Sequence, residues 1–198
     1  YVYALMASNA GIEMPYVHLF RSQKGSGYFS VKRFDRDGNK RLHMHTVSGL
    51  IHSNFRFPSL DYEDLLSLTG VLTKDIREVE KMFRLAVFNV MANNRDDHAK
   101  NFSFLMNEFG EWKLSPAYDL TFSNGPGGEQ STMVMGEGRN ISRTHLEKLG
   151  LEAKLSKALI DKIIQKTSAA LGNWKSLAKG YGVNKENIEL IEKRFVIF

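Results

Sequence analysis

Three side chains between residues 93 and 120 have the types and the order that phosphoryl transfer requires. Asp96 directly follows Arg95, Asn101 lies five residues after Asp96, and Asp119 comes further downstream. A carboxylate at Asp96 can accept the proton of an attacking hydroxyl group. Asn101 and Asp119 offer the oxygen ligands that Mg²⁺ prefers, and Asp119 could bridge the metal to a triphosphate. The pattern therefore predicts an ATP-dependent kinase site.

The spacing from Asp96 to Asn101 is weak support when it is taken alone. The chain has 9 Asp and 13 Asn among 198 residues. An Asp followed by an Asn at the fifth position is then expected about 0.6 times by chance. The elements around the motif must therefore carry the prediction.

Regular elements on both sides of the motif could hold it in place. Apolar residues recur with a helical period over 76–91, which predicts a largely buried amphipathic helix that ends before the motif. Segments 102–106 and 112–114 are typical of short strands around a turn, so that Asp119 returns to the end of the hairpin at which Asp96 lies. A rigid helix and hairpin would let the three side chains converge on one metal–phosphate cluster.

A helix end and a β-hairpin are predicted in the first part of the chain. Helical apolar spacing over 2–10 stops at Gly11. Segments 16–20 and 28–34 are rich in aromatic and branched residues and flank a glycine-containing turn, which indicates a hairpin. Polar, turn-forming residues follow over 35–40.

The rest of the chain is predicted to be mainly helical. Residues 121–140 contain five glycines and are interpreted as irregular and mobile. Apolar spacing predicts three C-terminal helices, over 144–149, 152–171 and 185–195. A soft boundary near residue 40 divides the chain into regions 1–40 and 41–198.

The composition is that of a globular protein. The hydrophobic content of 42% can supply a core, and the lack of cysteine excludes a disulfide framework and a thiolate metal site. No apolar run reaches the length of a membrane span, and the first residues lack the charged start of a signal peptide, so we expect a cytoplasmic protein without a membrane partner. The net charge of +5 is compatible with an acidic partner such as nucleic acid or a nucleotide.

The two stretches NNRDDHAKNFSFL and LSPAYDLTF resemble the HipA family, the bacterial serine/threonine kinases that act as toxins in type II toxin–antitoxin pairs. A further similarity covers residues 29–36, which resemble the strand and hinge that receive adenine and ribose in that family. The resemblance is strongest over 28–45 and 83–122. The residues that match the family's catalytic pattern are Asn94, Asp96, His98, Lys100 and Asn101.

The resemblance implies an α+β, protein-kinase-like fold, mainly the helical C-terminal lobe with a small β remnant of the nucleotide-binding lobe. It implies ATP and Mg²⁺ as cofactors, with Asp96 as the catalytic aspartate and Asn101 and Asp119 as magnesium ligands. The residues expected to bind the nucleotide are Lys32, Arg33, Phe34 and Asp35 at the hinge and His98 and Lys100 near the phosphates or ribose.

The resemblance also implies features outside the 198 residues. A phosphate-covering loop with a regulatory serine, and a lysine that pairs with the ATP phosphates, are expected to precede the helix over 2–10. We therefore expect this stretch alone to bind ATP weakly and to phosphorylate poorly. A protein serine or threonine is the implied substrate, a HipB-like helix-turn-helix antitoxin is the implied partner, and contact with DNA would arise through that complex.

Two other functions remain open from the sequence. A small-molecule kinase of the aminoglycoside phosphotransferase type uses a similar Asp, Asn and Asp trio, but the hinge over 31–36 argues against it. A non-catalytic fragment that only binds protein or DNA is the second alternative.

Several further residues have competing interpretations. Asp97 is a rival for the catalytic base, but Asp96 has the five-residue spacing to Asn101. His43 and His45 would lie on one side of a strand and could chelate a metal, yet no third ligand is evident. Residues 55–58 are interpreted as a packed loop rather than a surface on which nucleic-acid bases stack. The lysines of the C-terminal helices are interpreted as a solvated face.

Overall fold

Helices account for most of the regular structure in this computed structural model, which describes residues 1–52 and 60–198. Most begin at a polar residue whose side chain accepts a hydrogen bond from the first turn, as Asp75 accepts one from the backbone of Arg77. In chain order the helices are α1 (Val2–Asn9), α2 (Val47–Leu50), α3 (Tyr62–Thr73), α4 (Ile76–Met91), α5 (Arg143–Glu152), α6 (Lys157–Gly172), α7 (Trp174–Gly180) and α8 (Lys185–Glu192).

The strands are short and form four small sheets in the described residues. They are β1 (Val17–Phe20), β2 (Tyr28–Val31), β3 (Arg36–Asp37), β4 (Lys40–Arg41), β5 (His43–Thr46), β6 (Leu60–Asp61), β7 (Ser103–Met106), β8 (Trp112–Leu114) and β9 (Thr132–Met133). The pairs β1–β2 and β3–β4 are antiparallel hairpins, and β5, β7 and β8 form an antiparallel sheet with β7 in the centre. Strands β6 and β9 pair in parallel.

Helix α4 is the centre of the hydrophobic core. Its apolar residues are buried over almost its whole length, and it packs against α3 and α6. The Glu78 carboxylate, near its start, accepts a 2.8 Å hydrogen bond from the backbone N–H of Leu114 in β8 and pairs with Lys81 at 2.8 Å. This contact ties the helix to the β7–β8 hairpin, so the two elements that flank the catalytic-type motif are held as one unit.

The predicted elements around the motif are confirmed. The hairpin of β1 and β2, the helix over 76–91 and the hairpin of β7 and β8 all form, although β2 ends at Val31 and not at the predicted residue 34. His43 and His45 do lie on one strand, with ring centroids 6.3 Å apart. No group of three or more metal-ligating His, Cys, Asp or Glu residues occurs within residues 1–52 and 60–198.

Three predictions about the elements need correction or lie outside the described residues. Residues 152–171 do not form one helix, because α5 continues to Glu152 and Lys154 takes a left-handed φ of 62° before Ser156 caps α6. The region 121–140 is mostly irregular but contributes β9. The packed loop predicted over 55–58 lies outside the described residues.

In the part of the chain that the structure describes, no helix has both the length and the apolar character needed to cross a membrane.

Candidate active site

The loop that leaves α4 carries Asp96 to the surface. Asn93 adopts a left-handed φ of 53°, and the N–H of Asn94 bonds back to the carbonyl of Asn89 at 2.8 Å, which turns the chain away from the helix axis. Asp96 follows with its side chain 56% exposed. An exposed carboxylate on a loop that is anchored by a buried helix is available to a substrate hydroxyl group.

Asp96 and Asn101 are joined within this loop. The Nδ2 of Asn101 donates a 2.8 Å hydrogen bond to the backbone carbonyl of Asp96, and His98 Nε2 lies 3.7 Å from an Asp96 carboxylate oxygen. The amide nitrogen of Asn101 is thus occupied, and its Oδ1 is the atom that remains as an acceptor. This arrangement suits Asn101 for a neutral oxygen ligand to a hard cation.

Asp119 occupies a constrained backbone position at the surface. It has a φ of 74°, which Asp tolerates better than most residues but which is still uncommon outside glycine. Its side chain is exposed. A left-handed backbone at an exposed carboxylate is the kind of local strain that accompanies functional sites.

Tyr118 connects the three motifs, and sequence reasoning did not assign it a role. Its hydroxyl donates a 2.7 Å hydrogen bond to the carbonyl of Lys100 and bonds to Ser103 Oγ. Its ring packs on Phe34, with centroids 5.7 Å apart. Tyr118, directly before Asp119, therefore contacts both Lys100, directly before Asn101, and Phe34 of the hinge. Burial raises the pKa of Tyr118, so the hydroxyl keeps its proton and its role as donor.

The hinge residues have different surroundings. Lys32 and Arg33 are exposed, and the backbone N–H of Lys32 bonds to the carbonyl of Tyr16 across the β1–β2 hairpin at 2.8 Å. The Arg33 guanidinium binds both carboxylate oxygens of Asp35, at 2.8 and 2.5 Å, and lowers the pKa of that carboxyl group to about 2. Asp35 would have to exchange Arg33 for a ribose hydroxyl in order to bind a nucleotide.

Asp97 is buried and has a different environment from Asp96. Its side chain accepts hydrogen bonds from Tyr62 at 2.7 Å and from the backbone N–H groups of Ser131 and Thr132 at 2.9 and 3.2 Å. Burial raises the pKa of Asp97 to about 7. A carboxyl group with no exposed surface cannot reach a substrate, and this geometry favours Asp96 over Asp97 as the base.

A second residue set that sequence reasoning missed is the polar network behind Asp97. Asn89 Nδ2 donates to the Tyr62 hydroxyl at 2.9 Å, and Asn94 Nδ2 donates to Asn89 Oδ1 at 3.0 Å. The signal that could have revealed it is Asn89 itself, a polar residue among the buried apolar residues of α4. The network links α3 and α4 to the loop that carries Asp96.

The candidate ligands fit Mg²⁺ better than a metal ion whose ligands all come from the protein. Asn101 Oδ1 and the Asp119 carboxylate are hard oxygen ligands, and Mg²⁺ is usually bound by one or two carboxylates together with phosphates and water. The structure joins Asp96, Asn101 and Asp119 through backbone and Tyr118 contacts. Their assignments as base and metal ligands stay predictions.

Comparisons with known proteins identify the family and the fold of the chain. The family profile described as the HipA-like C-terminal domain matches residues 1–174. The curated protein named "Putative kinase Y4dM" from Sinorhizobium fredii (strain NBRC 101917 / NGR234) is 25% identical over 138 residues, which cover 66% of this chain and 34% of that protein.

Two solved structures share the fold. HipA from Shewanella oneidensis MR-1, solved with HipB and its operator DNA, matches with a TM-score of 0.70 and 16% identity over 98% of this chain and 52% of its own. The proinflammatory kinase CtkA from Helicobacter pylori matches with a TM-score of 0.56 and 12% identity over 98% of this chain and 82% of its own. These matches confirm the predicted α+β, kinase-like fold. The division at residue 40 stays a prediction.

The chain spans about a third of the length of the curated relative and about half of the HipA chain that it matches.

Proposed function

Because the chain belongs to the family of HipA-like C-terminal domains, we propose that the protein carrying it transfers the γ-phosphoryl group of ATP, with Mg²⁺, to a serine or threonine of another protein. The kinase-type relatives support the reaction class. The acceptor residue and the cofactors belong to the proposal.

The contact between Phe34 and Tyr118 supports the proposal independently of the comparisons. Phe34 lies 84 residues before Tyr118 in the sequence, yet their rings pack together, and the Tyr118 hydroxyl donates to the carbonyl of Lys100. The nucleotide-type hinge, the loop of Asp96 and Asn101, and the segment that ends in Asp119 therefore meet at one point. A single phosphoryl-transfer site requires this convergence of the three segments, and the convergence supports the proposal.

Each side chain has a role that its environment permits. Asp96, exposed on the anchored loop, would accept the proton of the acceptor hydroxyl or orient that hydroxyl. Asn101 Oδ1 and the Asp119 carboxylate would hold the metal, which neutralises the charge of the phosphates when it is bound. His98 and Lys100, on the same loop, would supply hydrogen-bond donors to the phosphates.

The hinge would position the base of the nucleotide. Phe34 would pack against adenine, and the backbone groups of residues 32–35 would form hydrogen bonds with the polar edge of the base. Lys32, Arg33 and Asp35 lie around this backbone, and Asp35 would reach the ribose once Arg33 releases it. Hydrogen bonds from a hinge fix the nucleotide so that its γ-phosphate lies in one place, which lowers the entropic cost of reaction.

Phosphate incorporation in the complete protein tests this proposal. With γ-labelled ATP and Mg²⁺, Asp96→Asn should reduce incorporation into protein substrate about 10²–10⁴-fold, the usual value of a general base. Asp37→Asn, a change at an exposed aspartate on β3, is the matched control and should leave the rate unchanged. A panel of aminoglycosides tested in parallel separates the rival small-molecule activity. Equal rates for Asp96→Asn and Asp37→Asn would refute the proposal.

We also propose a HipB-like helix-turn-helix antitoxin as the partner. The support is the Shewanella oneidensis HipA structure, which was solved with HipB and operator DNA. The net charge of +5 would favour approach to DNA in such a complex. A gel-shift assay with the HipB-type protein of the same organism tests this, since the proposal expects a larger complex on operator DNA only when both proteins are present. An unchanged HipB–DNA band would contradict it.

A further inference from the structure

A cavity of about 320 Å³ lies between the end of α4, the 121–140 segment and the C-terminal segment. Its polar lining comes from Arg95, Gln130, Arg139 and Asn140. Asp96, Asn101 and Asp119 do not line it. The cavity is thus distinct from the candidate active site, although Arg95 directly precedes Asp96.

Gln130 has an unmet hydrogen-bonding requirement in this cavity. Its side chain is only 4% exposed, and neither Oε1 nor Nε2 has a hydrogen-bond partner among residues 1–52 and 60–198. Its backbone N–H bonds to the carbonyl of Gly138 at 2.8 Å, so the residue is fixed in place. A buried amide without partners is unfavourable, and such groups in folded proteins usually bind a ligand, an ion or water.

The same cavity has an excess of positive charge. Arg95 makes no ion pair with a carboxylate within the described residues, and only one of its five N–H donors has an acceptor there, the carbonyl of Gly128. The pKa of Arg95 is lowered first by burial and then by Arg194 and Arg139, and the smaller opposing effects of Asp97 and Glu129 do not offset them. Arg139 pairs with Glu129 at 3.0 Å, but both side chains are at least half exposed.

We propose that this cavity binds a phosphoryl group, either as free phosphate or on a phosphorylated serine or threonine side chain. The Arg95 and Arg139 guanidinium groups would bind its oxygens in forked geometry, and Gln130 Nε2 would donate to a further oxygen. A tetrahedral oxyanion offers enough acceptors for all three side chains, whereas a carboxylate has only two oxygens.

Occupation of this site would connect the 121–140 segment to the loop of the candidate base. The Arg95 carbonyl accepts hydrogen bonds from both the N–H and the Oγ of Ser131, at 3.2 and 2.9 Å. A bound phosphoryl group would also hold the side chain of Arg95, which is the residue directly before Asp96. Any effect on catalysis rests on the proposed function, but the binding itself does not.

Thermal unfolding of the complete protein in inorganic phosphate tests the site, with sodium chloride at matched ionic strength as reference. At about ten times its dissociation constant, phosphate should raise the melting temperature by roughly 1–3 °C in a chain of several hundred residues. O-Phospho-L-serine in a second arm distinguishes the sources. A rise with both compounds indicates a phosphorylated side chain as ligand, and a rise with phosphate alone indicates free phosphate. No rise with either beyond that in chloride would overturn the proposal.

Two variants and a matched control locate the binding. Gln130→Leu should abolish the rise, and its melting temperature without phosphate should be no lower than that of the wild type, because two unpaired buried polar atoms are removed. Arg139→Gln, at a side chain that is 59% exposed, should weaken phosphate binding about tenfold. Lys162→Gln removes one charge from the exposed surface of α6 and should leave the response intact. A full response in Gln130→Leu and Arg139→Gln would overturn the proposal even if the wild type responds, and it would leave the proposed kinase activity untouched.

Discussion

The Asp97 carboxyl group should make the stability of this protein depend on pH. Burial raises its pKa to about 7 in the folded protein from an ordinary value of 3.8, and burial outweighs the hydrogen bonds from Tyr62, Ser131 and Thr132, which favour the charged form. The folded protein therefore holds a proton that the unfolded chain releases. The stability that this proton contributes is complete below about pH 4 and is lost as the pH rises through about 7.

The size of this effect follows from the pKa difference. About 3 pKa units at 1.36 kcal/mol each give roughly 4 kcal/mol over the whole window, and about 3 kcal/mol of this falls between about pH 5 and about pH 8. Asp97→Asn keeps the shape of the side chain but does not titrate. Its free energy of unfolding, relative to that of the wild type, should therefore rise by about 3 kcal/mol over that interval.

Urea unfolding of both proteins at the two pH values measures this difference. Asp37→Asn is the control, because its exposed side chain should shift the free energy of unfolding by less than about 0.5 kcal/mol at either pH. If the gap between wild type and Asp97→Asn is the same at both pH values, burial does not dominate the pKa of Asp97. Such a constant gap would mean that the carboxylate is already ionised at pH 5 in the folded protein and is stabilised by its three donors.

Two further changes test contacts that hold the site in place. Glu78→Ala leaves the buried N–H of Leu114 without an acceptor and should lower the free energy of unfolding in urea by about 1–3 kcal/mol. The surface variant Glu189→Ala removes an exposed pair with Lys185 and should cost less than about 1 kcal/mol, so equal losses would contradict this account. Gly125→Ala would place a Cβ 2.1 Å from a backbone oxygen at a φ of +68°. It should lower the free energy of unfolding by about 2 kcal/mol or more, and the melting temperature by several degrees. Gly25→Ala adds a Cβ in open space and should leave the melting temperature unchanged. The same melting temperature for both variants would argue against backbone strain at position 125.

The sequence indicated the elements whose residues form local patterns. The helix over 76–91 has apolar residues at a regular helical spacing, and the β1–β2 and β7–β8 hairpins have short turns between strand-like segments. The helix predicted over 152–171 forms only from Lys157 onward, because the break before it depends on the backbone of Lys154, which the apolar spacing does not report. The β6–β9 pairing was not foreseen because its two strands are about 70 residues apart.

The candidate site shows the same division between local and distant information. Asp96, Asn101 and Asp119 could be singled out because their types and order match one chemistry. The role of Tyr118 could not be read from its neighbours, since it depends on a ring contact with Phe34. The burial of Asp97 could not be predicted either, since the residues that donate hydrogen bonds to it lie at least 34 positions away along the chain.

Equilibrium ATP binding with and without Mg²⁺ tests the central claim most directly, because that claim makes Asp119 a magnesium ligand in a nucleotide site. In the complete protein, Mg²⁺ should increase the affinity for ATP, and Asp119→Ala should remove about tenfold or more of this increase. Asp37→Asn should retain it. Magnesium-dependent ATP affinity that survives unchanged in Asp119→Ala would contradict the assignment.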